Sequence, residues 1–425
     1  MATSVVASGN YELFIDTGFK LDAFTLDDAV KGLLDGTQYV LDGTTEFAPM
    51  MQYSKSINVN RGRREIGDQF SAGTMTFSLD DSLAGGILNP LYSSSPYVDP
   101  AGQFTLAPLR RVSFGRYDST NTFVELFVGQ IVNYDYQYEL GGNNTVIVYC
   151  ADDFYLLAQT SMNEFNVSEE LSSARLSAVL DLPEVAYPVA SRNINTGTQT
   201  LGGAAAYTIA NGTNVKAYID QIQTAEQGRI FMARNGVLNF DARLGATFSG
   251  SVADFHDDGT NIPYNNLAIT YNADQIVNRA SVQHLGATSP QVADDTASQT
   301  KYLIQTASIT DSLLHNDAAA LDLANYLLVG EPSAIFTGVQ TDYLMLTNAQ
   351  RDTLATVDIG DTITITNTIA GGEVAQESSV EGIEHRIDFV SGHRVTYYTA
   401  STLIVYELIL DDPVYGTLDT INALG

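Results

Sequence analysis

The run Thr74-Met75-Thr76-Phe77-Ser78-Leu79 decides the fold class. Met75, Phe77 and Leu79 point one way, and Thr74, Thr76 and Ser78 the other. That is the two-residue period of a strand with one buried face. The period returns in 361–367, where Ile363 and Ile365 alternate with threonines. Working outward, strands are expected over 11–16, 123–131, 229–232, 237–240, 267–271, 281–284, 381–390 and 393–399. Gly141-Gly142, Asn235-Gly236 and Ser391-Gly392 supply turns between them. The two runs flanking Asn235-Gly236 are the clearest hairpin signal, since that dipeptide favours the tight turns that match strand twist.

Three segments switch to the helical period. Residues 213–227 place Val215, Tyr218, Ile219, Ile222 and Ala225 at spacings of three and four, with Thr213 or Asn214 as cap and Gly228 as stop. Residues 316–329 carry a stripe of Ala320, Leu321, Ala324, Leu327 and Leu328, stopped by Gly330 and Pro332. Residues 168–180 place Leu171, Ala174 and Ala178 on one face. The expected class is therefore mainly β: several β-barrel or sandwich domains with a small central α+β insert. The expected boundaries are an N-terminal β-barrel over 1–160, the α+β insert over 161–265, a second mixed β/α segment over 266–335 and a C-terminal β-barrel over 336–425. Residues 84–108, with Gly85-Gly86, Pro90, Pro96, Pro100 and Pro108, read as a long loop across one face of the first barrel.

The charge balance narrows the function. The chain has 425 residues, 20 basic and 50 acidic, for a net charge of −30. Only 16% of residues are charged, so the acidity comes from scarce Lys and Arg rather than from added acids. Broad binding to a nucleic acid backbone needs a positive stripe and is not expected. Attraction to anionic membranes is likewise not expected. No run of about 18 apolar residues offers a membrane span, and residues 1–10 lack the basic and apolar regions of a signal peptide. Apolar residues make up 44%, enough for packed cores. The single cysteine, Cys150, ends the strand-like run 145–150 and reads as a core residue.

Enzyme signatures are lacking. His256, His284, His315, His385 and His393 fall in no ligand spacing. A two-residue Ser391-Gly392 loop would set Val390 opposite His393 and His385 opposite Tyr398, keeping the two rings apart. Asp254, Asp257, Asp258 and Asn261 crowd one loop around Gly259. Calcium takes such oxygens, but the spacing departs from the EF-hand and a solvated loop is expected. No catalytic residue, metal or cofactor is assigned.

The few cations cluster. Arg61, Arg63 and Arg64 share one short turn, and Arg110, Arg111 and Arg116 another region. One reading of the first turn is a solvated loop balanced by Glu65 and Asp68. The other makes both groups anchors for an acidic neighbouring subunit, because the guanidinium fork grips carboxylates. All six are candidate subunit-interface residues. Tyr134, Tyr136 and Tyr138 share one strand face, which is either half-buried or an inter-subunit surface.

The order of these motifs resembles the minor tail proteins that form the baseplate hub of long, non-contractile-tailed bacteriophages. The stretches that carry the likeness begin with Arg61-Gly62-Arg63-Arg64, Asp68-Gln69-Phe70, Ala72-Gly73-Thr74 and Leu126-Phe127-Val128-Gly129. Ala151-Asp152-Asp153, Gln227-Gly228-Arg229-Ile230-Phe231, Asp241-Ala242-Arg243, Gly360-Asp361 and Leu410-Asp411-Asp412-Pro413 continue it. The resemblance implies a structural virion protein at the tail tip, assembled in the host cytoplasm as a trimeric ring of β-barrels. Such a ring closes the tail tube beneath the tape-measure protein and contacts the distal tail protein and other tip proteins. DNA passes through and is not bound, and no membrane insertion is implied. An acidic lumen would repel passing phosphates; solubility or a saline environment is the alternative source of the acidity. Two rival readings are the hexameric distal tail ring and a carbohydrate-binding or cell-wall-cleaving tip module.

Overall fold

The computed structural model describes residues 11–18, 47–64, 68–99, 101–141, 144–204, 207–243, 250–369, 371–388, 392–401, 406–407 and 422–423. The chain opens with strands β1 (Tyr11–Asp16), β2 (Phe47–Pro49), β3 (Ser54–Gly62), β4 (Thr74–Asp80), β5 (Arg111–Tyr117), β6 (Phe123–Gln137) and β7 (Thr145–Ala151). A mixed middle follows: α1 (Asp153–Gln159), β8 (Ser161–Met162), β9 (Glu170–Leu171), α2 (Ser172–Leu180), β10 (Arg192–Ile194), β11 (Thr200–Leu201), β12 (Thr213–Asn214), α3 (Val215–Glu226), β13 (Arg229–Met232) and β14 (Leu238–Asp241). Next come β15 (Ala253–His256), β16 (Asn266–Thr270), β17 (Arg279–His284), β18 (Gln291–Asp294), α4 (Thr296–Tyr302), β19 (Thr306–Ser312) and α5 (Asp317–Tyr326). The last elements are β20 (Ile335–Asp342), α6 (Asn348–Thr356), β21 (Thr362–Ile369), β22 (Gly372–Asp388), β23 (Gly392–Ser401), β24 (Tyr406–Glu407) and β25 (Asn422–Ala423), the last two paired in parallel.

The fold is mainly β, as the alternating runs require. β4 buries Met75, Phe77 and Leu79 and turns its threonines outward. Its neighbours β3 and β7 add Ile57, Val59, Val146, Val148 and Cys150 to the same core. Removing a ring such as Phe77 from this core costs about 3–5 kcal/mol. Leu88, Tyr97 and Leu106 of the Pro-rich loop bury into that core, so the loop covers one face of the sheet.

One sheet of 13 strands runs through both ends of the chain, in the order β16-β20-β23-β22-β3-β4-β7-β6-β5-β1-β2. β21 pairs with the first part of β22, and β15 pairs in parallel with β21. β22 is therefore shared: residues 372–379 pair with β21, and residues 382–388 lie between β23 and β3. The expected boundary at residue 336 does not interrupt this sheet, because Gly382 to Asp388 pairs with Gly62 to Ser56. Local periodicity carries no information about partners some 300 residues away.

The late strands curl into a ring. Ile262 exchanges backbone bonds with Asp254 and His256 beside β15, and Asn265 N–H donates to Gln340 on β20. The segment from 262 to 266 thus links the two ends of the series β20-β23-β22-β21-β15. Phe255, Val339, Ile363, Ile365, Val380, Ile383, Val395 and Tyr397 fill its interior, continuous with the core of the mixed middle. Helix α6 sits between the two cores, with Leu354 in one and Ala355 in the other.

The three expected helices form over shorter spans, as α2, α3 and α5, and α3 has the expected cap at Asn214. Asn214 Oδ1 accepts from Ala217 N–H at 3.0 Å on α3, and Asn316 Oδ1 accepts from Ala319 N–H at 2.9 Å on α5. The left-handed Gln227, at φ 56°, ends α3 one residue before Gly228. Three further helices, α1, α4 and α6, are additions to the sequence reading. The hairpin at Asn235-Gly236 forms as β13 and β14, and β14 also takes β10 as a parallel partner. Among the described residues, no helix is long and apolar enough to cross a membrane.

Candidate interface: the arginines and the cleft they line

The turn after β3 exists because Gly62, at φ 81°, can adopt a left-handed backbone. That turn fans three arginines onto β22 and its surroundings. Arg61 Nη1 meets Asp358 Oδ1 at 2.7 Å, with the arginine side chain only 2% exposed. Arg63 forks Glu381, with Nε at 2.9 Å and Nη2 at 2.8 Å from Oε2, and stacks over Phe70 at 4.6 Å. Arg64 Nη2 reaches Glu384 Oε2 at 3.3 Å and keeps 62% of its side chain exposed.

These pairings correct the balance expected from the sequence. Glu381, Glu384 and Asp358 neutralise the arginine turn. Asp68 contributes only its backbone carbonyl, 3.0 Å from Arg63 Nη1. Glu65 lies outside the described residues. Arg61 and Arg63 are internal cross-links between the two ends of the chain. Arg63→Glu would set a second carboxylate against buried Glu381, so that substitution reports on folding before it reports on any subunit contact.

The second group divides in the same way. Arg116 is buried, and its Nη1 meets Asp352 Oδ1 of α6 at 2.8 Å. Arg111, with 42% of its side chain exposed, pairs with Asp153 at the start of α1. Arg110 lays its guanidinium against Gly18. Of the six candidates, Arg64 and Arg111 are the ion-paired ones that keep substantial solvent contact.

Arg64 opens into a cleft of about 1500 Å³ between the mixed middle and the late strands. Arg63, Arg64, Arg229, Arg243, Arg386 and Arg394 line it, six of the 20 basic residues in the chain. Arg386 and Arg394 lie directly opposite each other on β22 and β23. Like charges in that position are destabilising unless something offsets them. Glu384 answers part of the charge: burial would raise its carboxyl, but hydrogen bonds from Tyr398 and Arg386 and the charge of Arg64 hold it below its ordinary value. Arg243 pairs with Asp322 at 2.9 Å and stacks over Tyr326 at 4.5 Å. Its Nε and Nη1, and the Nε of Arg394, are buried without hydrogen-bond partners. The sequence reading passed over Arg229, Arg243, Arg386 and Arg394, which are scattered along the chain. The alternation Glu384, Arg386 and then Arg394, Thr396, Tyr398 was the available signal that one strand face is charged.

Other candidates resolve differently. Asp388 pairs with Gly392 and Ile387 with His393, so three residues, 389–391, separate the strands. The expected two-residue loop is thereby corrected, and His385 falls opposite Val395. The two imidazoles meet: His385 Nδ1 lies 3.0 Å from His393 Nε2. Tyr11 hydrogen-bonds His393 Nδ1, and the Tyr343 ring stacks on His393 at 3.8 Å. With both rings neutral, His393 carries one ring proton, so it donates in one of these two contacts and accepts in the other. Burial, aided by Arg61, pushes His385 down to about 3. Burial first, then the charges of His385 and Arg116, pushes His393 well down.

Among the acids near Gly259, Asp257 accepts from Thr368 N–H and Oγ1–H, and Asp258 accepts from Thr260 in the same manner. The Asp258 oxygens serve a local turn, and those of Asp257 tie the loop to Thr368 on β21. Tyr134, Tyr136 and Tyr138 stack in series at 5.8 and 6.3 Å, and Tyr138 O–H donates to Asp81. Cys150 is buried in β7, where burial pushes its thiol well up, away from the reactive thiolate.

No family model matches the chain, and no curated protein matches it by sequence. Solved structures do match. A tail protein from Neisseria meningitidis superposes with a TM-score of 0.57 at 12% identity, covering 92% of this chain and 96% of its own. The 43 kDa tail protein of prophage MuSo2 from Shewanella oneidensis gives 0.55 at 10% identity, covering 93% and 97%. What is shared is the fold. It extends over more than nine-tenths of this chain and of each of the two proteins.

Proposed function

We propose that this chain is a structural tail protein of a phage-type particle, forming a ring at the tail tip that closes the tube and lines part of the DNA path. The fold-wide likeness to two tail proteins carries this reading, because it spans more than nine-tenths of each partner. The charge supports it. A surplus of 30 negative charges suits a conduit that DNA must traverse without sticking. The single long sheet also supports it, since one set of hydrogen bonds ties the two ends of the chain into one body.

In this reading the chain turns over no substrate and needs no cofactor. Its partners are further copies of itself, three in a closed ring, with the distal tail protein, the tape-measure protein and other tip proteins above and below. Arg111, exposed at the start of β5 beside Arg110, is the subunit contact proposed from the second arginine group. Native mass spectrometry of the purified chain tests this. A trimer that falls to monomer in Arg111→Gln, which removes the charge without setting a second carboxylate against Asp153, with an unchanged circular dichroism spectrum, is the expected result. A wild-type chain that stays monomeric at every concentration would overturn the self-assembling ring. A hexamer would favour the distal tail ring, and heat on titration with host wall fragments would favour a carbohydrate-binding tip module.

A further inference from the structure

Strand β19 meets the cleft by a free edge. It pairs in parallel with β17, which takes β18 on its far side, so among the described residues β19 ends the small sheet β18-β17-β19. Arg279 N–H on β17 donates to the Gln305 carbonyl. Peptide groups alternate in direction along a paired strand. Residues 305, 307 and 309 therefore face β17, and Thr306 and Ser308 turn their N–H and C=O outward. Ala307, Ser308 and Ile309 all line the cleft. Side chains of a strand alternate between its faces, so three successive lining residues mark an edge. β16 behaves otherwise: Asn266, Ala268 and Thr270 line the cleft, which is one face of the strand. A free edge is a template for a further strand.

The chemistry of the cleft says what that strand should carry. Its six arginines face Asp68, Asp241, Asp274, Glu381 and Glu384, and Asp322 pairs with Arg243, so the charges balance. In a chain of net charge −30 this is a neutral place, suited to a segment without net charge. The wall also holds unmade hydrogen bonds of both kinds. Gln223, 5% exposed, has Oε1 without a donor, and Arg243, with 7% of its side chain exposed, has Nε and Nη1 without acceptors. A peptide group offers one donor and one acceptor, whereas a small anion answers only the arginine. Tyr326 and Tyr398, the rings on which a sugar would stack, already carry the guanidiniums of Arg243 and Arg64 at 4.5 and 5.2 Å.

We propose that an extended, uncharged segment of a partner protein seats in this cleft as an added strand on β19, hydrogen-bonded to the outward peptide groups of Thr306 and Ser308. The site lies within one chain, so the proposal is independent of the ring. Panning the full chain against a library of random peptides of about ten residues, then titrating the tightest binder by calorimetry, tests it. The comparison is with Ser308→Pro. That substitution removes an outward N–H and no bond to β17, and proline is tolerated on edge strands. The peptide should bind the wild type and lose about tenfold in affinity for Ser308→Pro, with the circular dichroism spectrum unchanged. Equal affinity for the two proteins would overturn the proposal, and so would a library that yields no binder. Host cell-wall oligosaccharide that binds both proteins alike and displaces the peptide would also overturn it, since the cleft would then be a sugar site. Should Ser308→Pro fail to fold, hydrogen exchange of the Ser308 amide in the wild type gives the same decision: slowing by the peptide supports the added strand, and unchanged exchange overturns it.

Discussion

Gly62 on β3 lies directly opposite Gly382 on β22, and neither position has room for a side chain. A Cβ on Gly62 would sit 2.2 Å from the Glu381 carbonyl oxygen, and one on Gly382 would sit 2.4 Å from that of Arg63. Here the first strands of the chain join the last, and Arg61 and Arg63 flank the joint on their acids.

Gly62→Ala should therefore destabilise the chain by roughly 2–4 kcal/mol, combining the left-handed backbone penalty with a backbone clash. Gly85→Ala is the matched control. It has φ 72° but open space around it, so it should cost only about 1 kcal/mol. Urea midpoints of the two variants check the difference.

Arg116 and Asp352 bind the first sheet to α6, and Asp352 also accepts from Ser119 N–H at 3.0 Å. Asp352→Asn leaves the buried guanidinium uncompensated and should cost roughly 2–3 kcal/mol, below the full value for a buried pair because Asp352 is partly exposed. Arg116→Met together with Asp352→Leu should recover much of that loss. A double-mutant cycle in urea measures the coupling.

Acid should loosen the same joint. His385 and His393 are held neutral in the fold, with pKa values pushed below the ordinary histidine range. Below about pH 6.5 the unfolded chain therefore binds protons that the folded chain does not, and stability falls as pH falls. Asp152 acts in the opposite sense. Burial raises it to about 7, against opposing hydrogen bonds from Gly73 and Phe154, so its contribution is full below its unfolded value and fades as pH rises through 7. Two histidines outweigh one aspartate between pH 4 and 6.5. Urea midpoints should drop across that window, and His393→Gln should flatten the drop.

Thr347 and Gln350 cap α6 reciprocally: the Thr347 hydroxyl accepts from Gln350 N–H at 3.3 Å, and Gln350 Oε1 accepts from Thr347 N–H at 2.9 Å. Thr347→Ala should cost about 1 kcal/mol. Because Ala355 and Leu354 of α6 enter different cores, hydrogen exchange should quicken on both sides of the helix.

Much of the β architecture was legible in the sequence. The alternation at 74–79, the Asn235-Gly236 turn and the cap at Asn214 each report a local requirement that the fold meets. Thr347-Asn348-Ala349-Gln350 was an equally local signal, a capping box that the reading passed over. The arginine partners were of another kind. Nothing near Arg61 or Arg63 in sequence indicates Asp358 or Glu381, because the pairing follows from β22 lying beside β3. The histidine contact failed on the register: residues 389–391 rather than 391–392 separate the two strands, which moves the partner of His385 by three residues, from Tyr398 to Val395. The arginine-lined cleft assembles from β13, β22, β23 and the β3 turn, and only the folded chain brings them together.

Counting copies at the tail tip by cryo-electron microscopy of the intact particle, without imposed symmetry, tests the ring most directly. Three copies closing the tube is the predicted result. Six copies around an open tube end, or no copy in any particle, would contradict it.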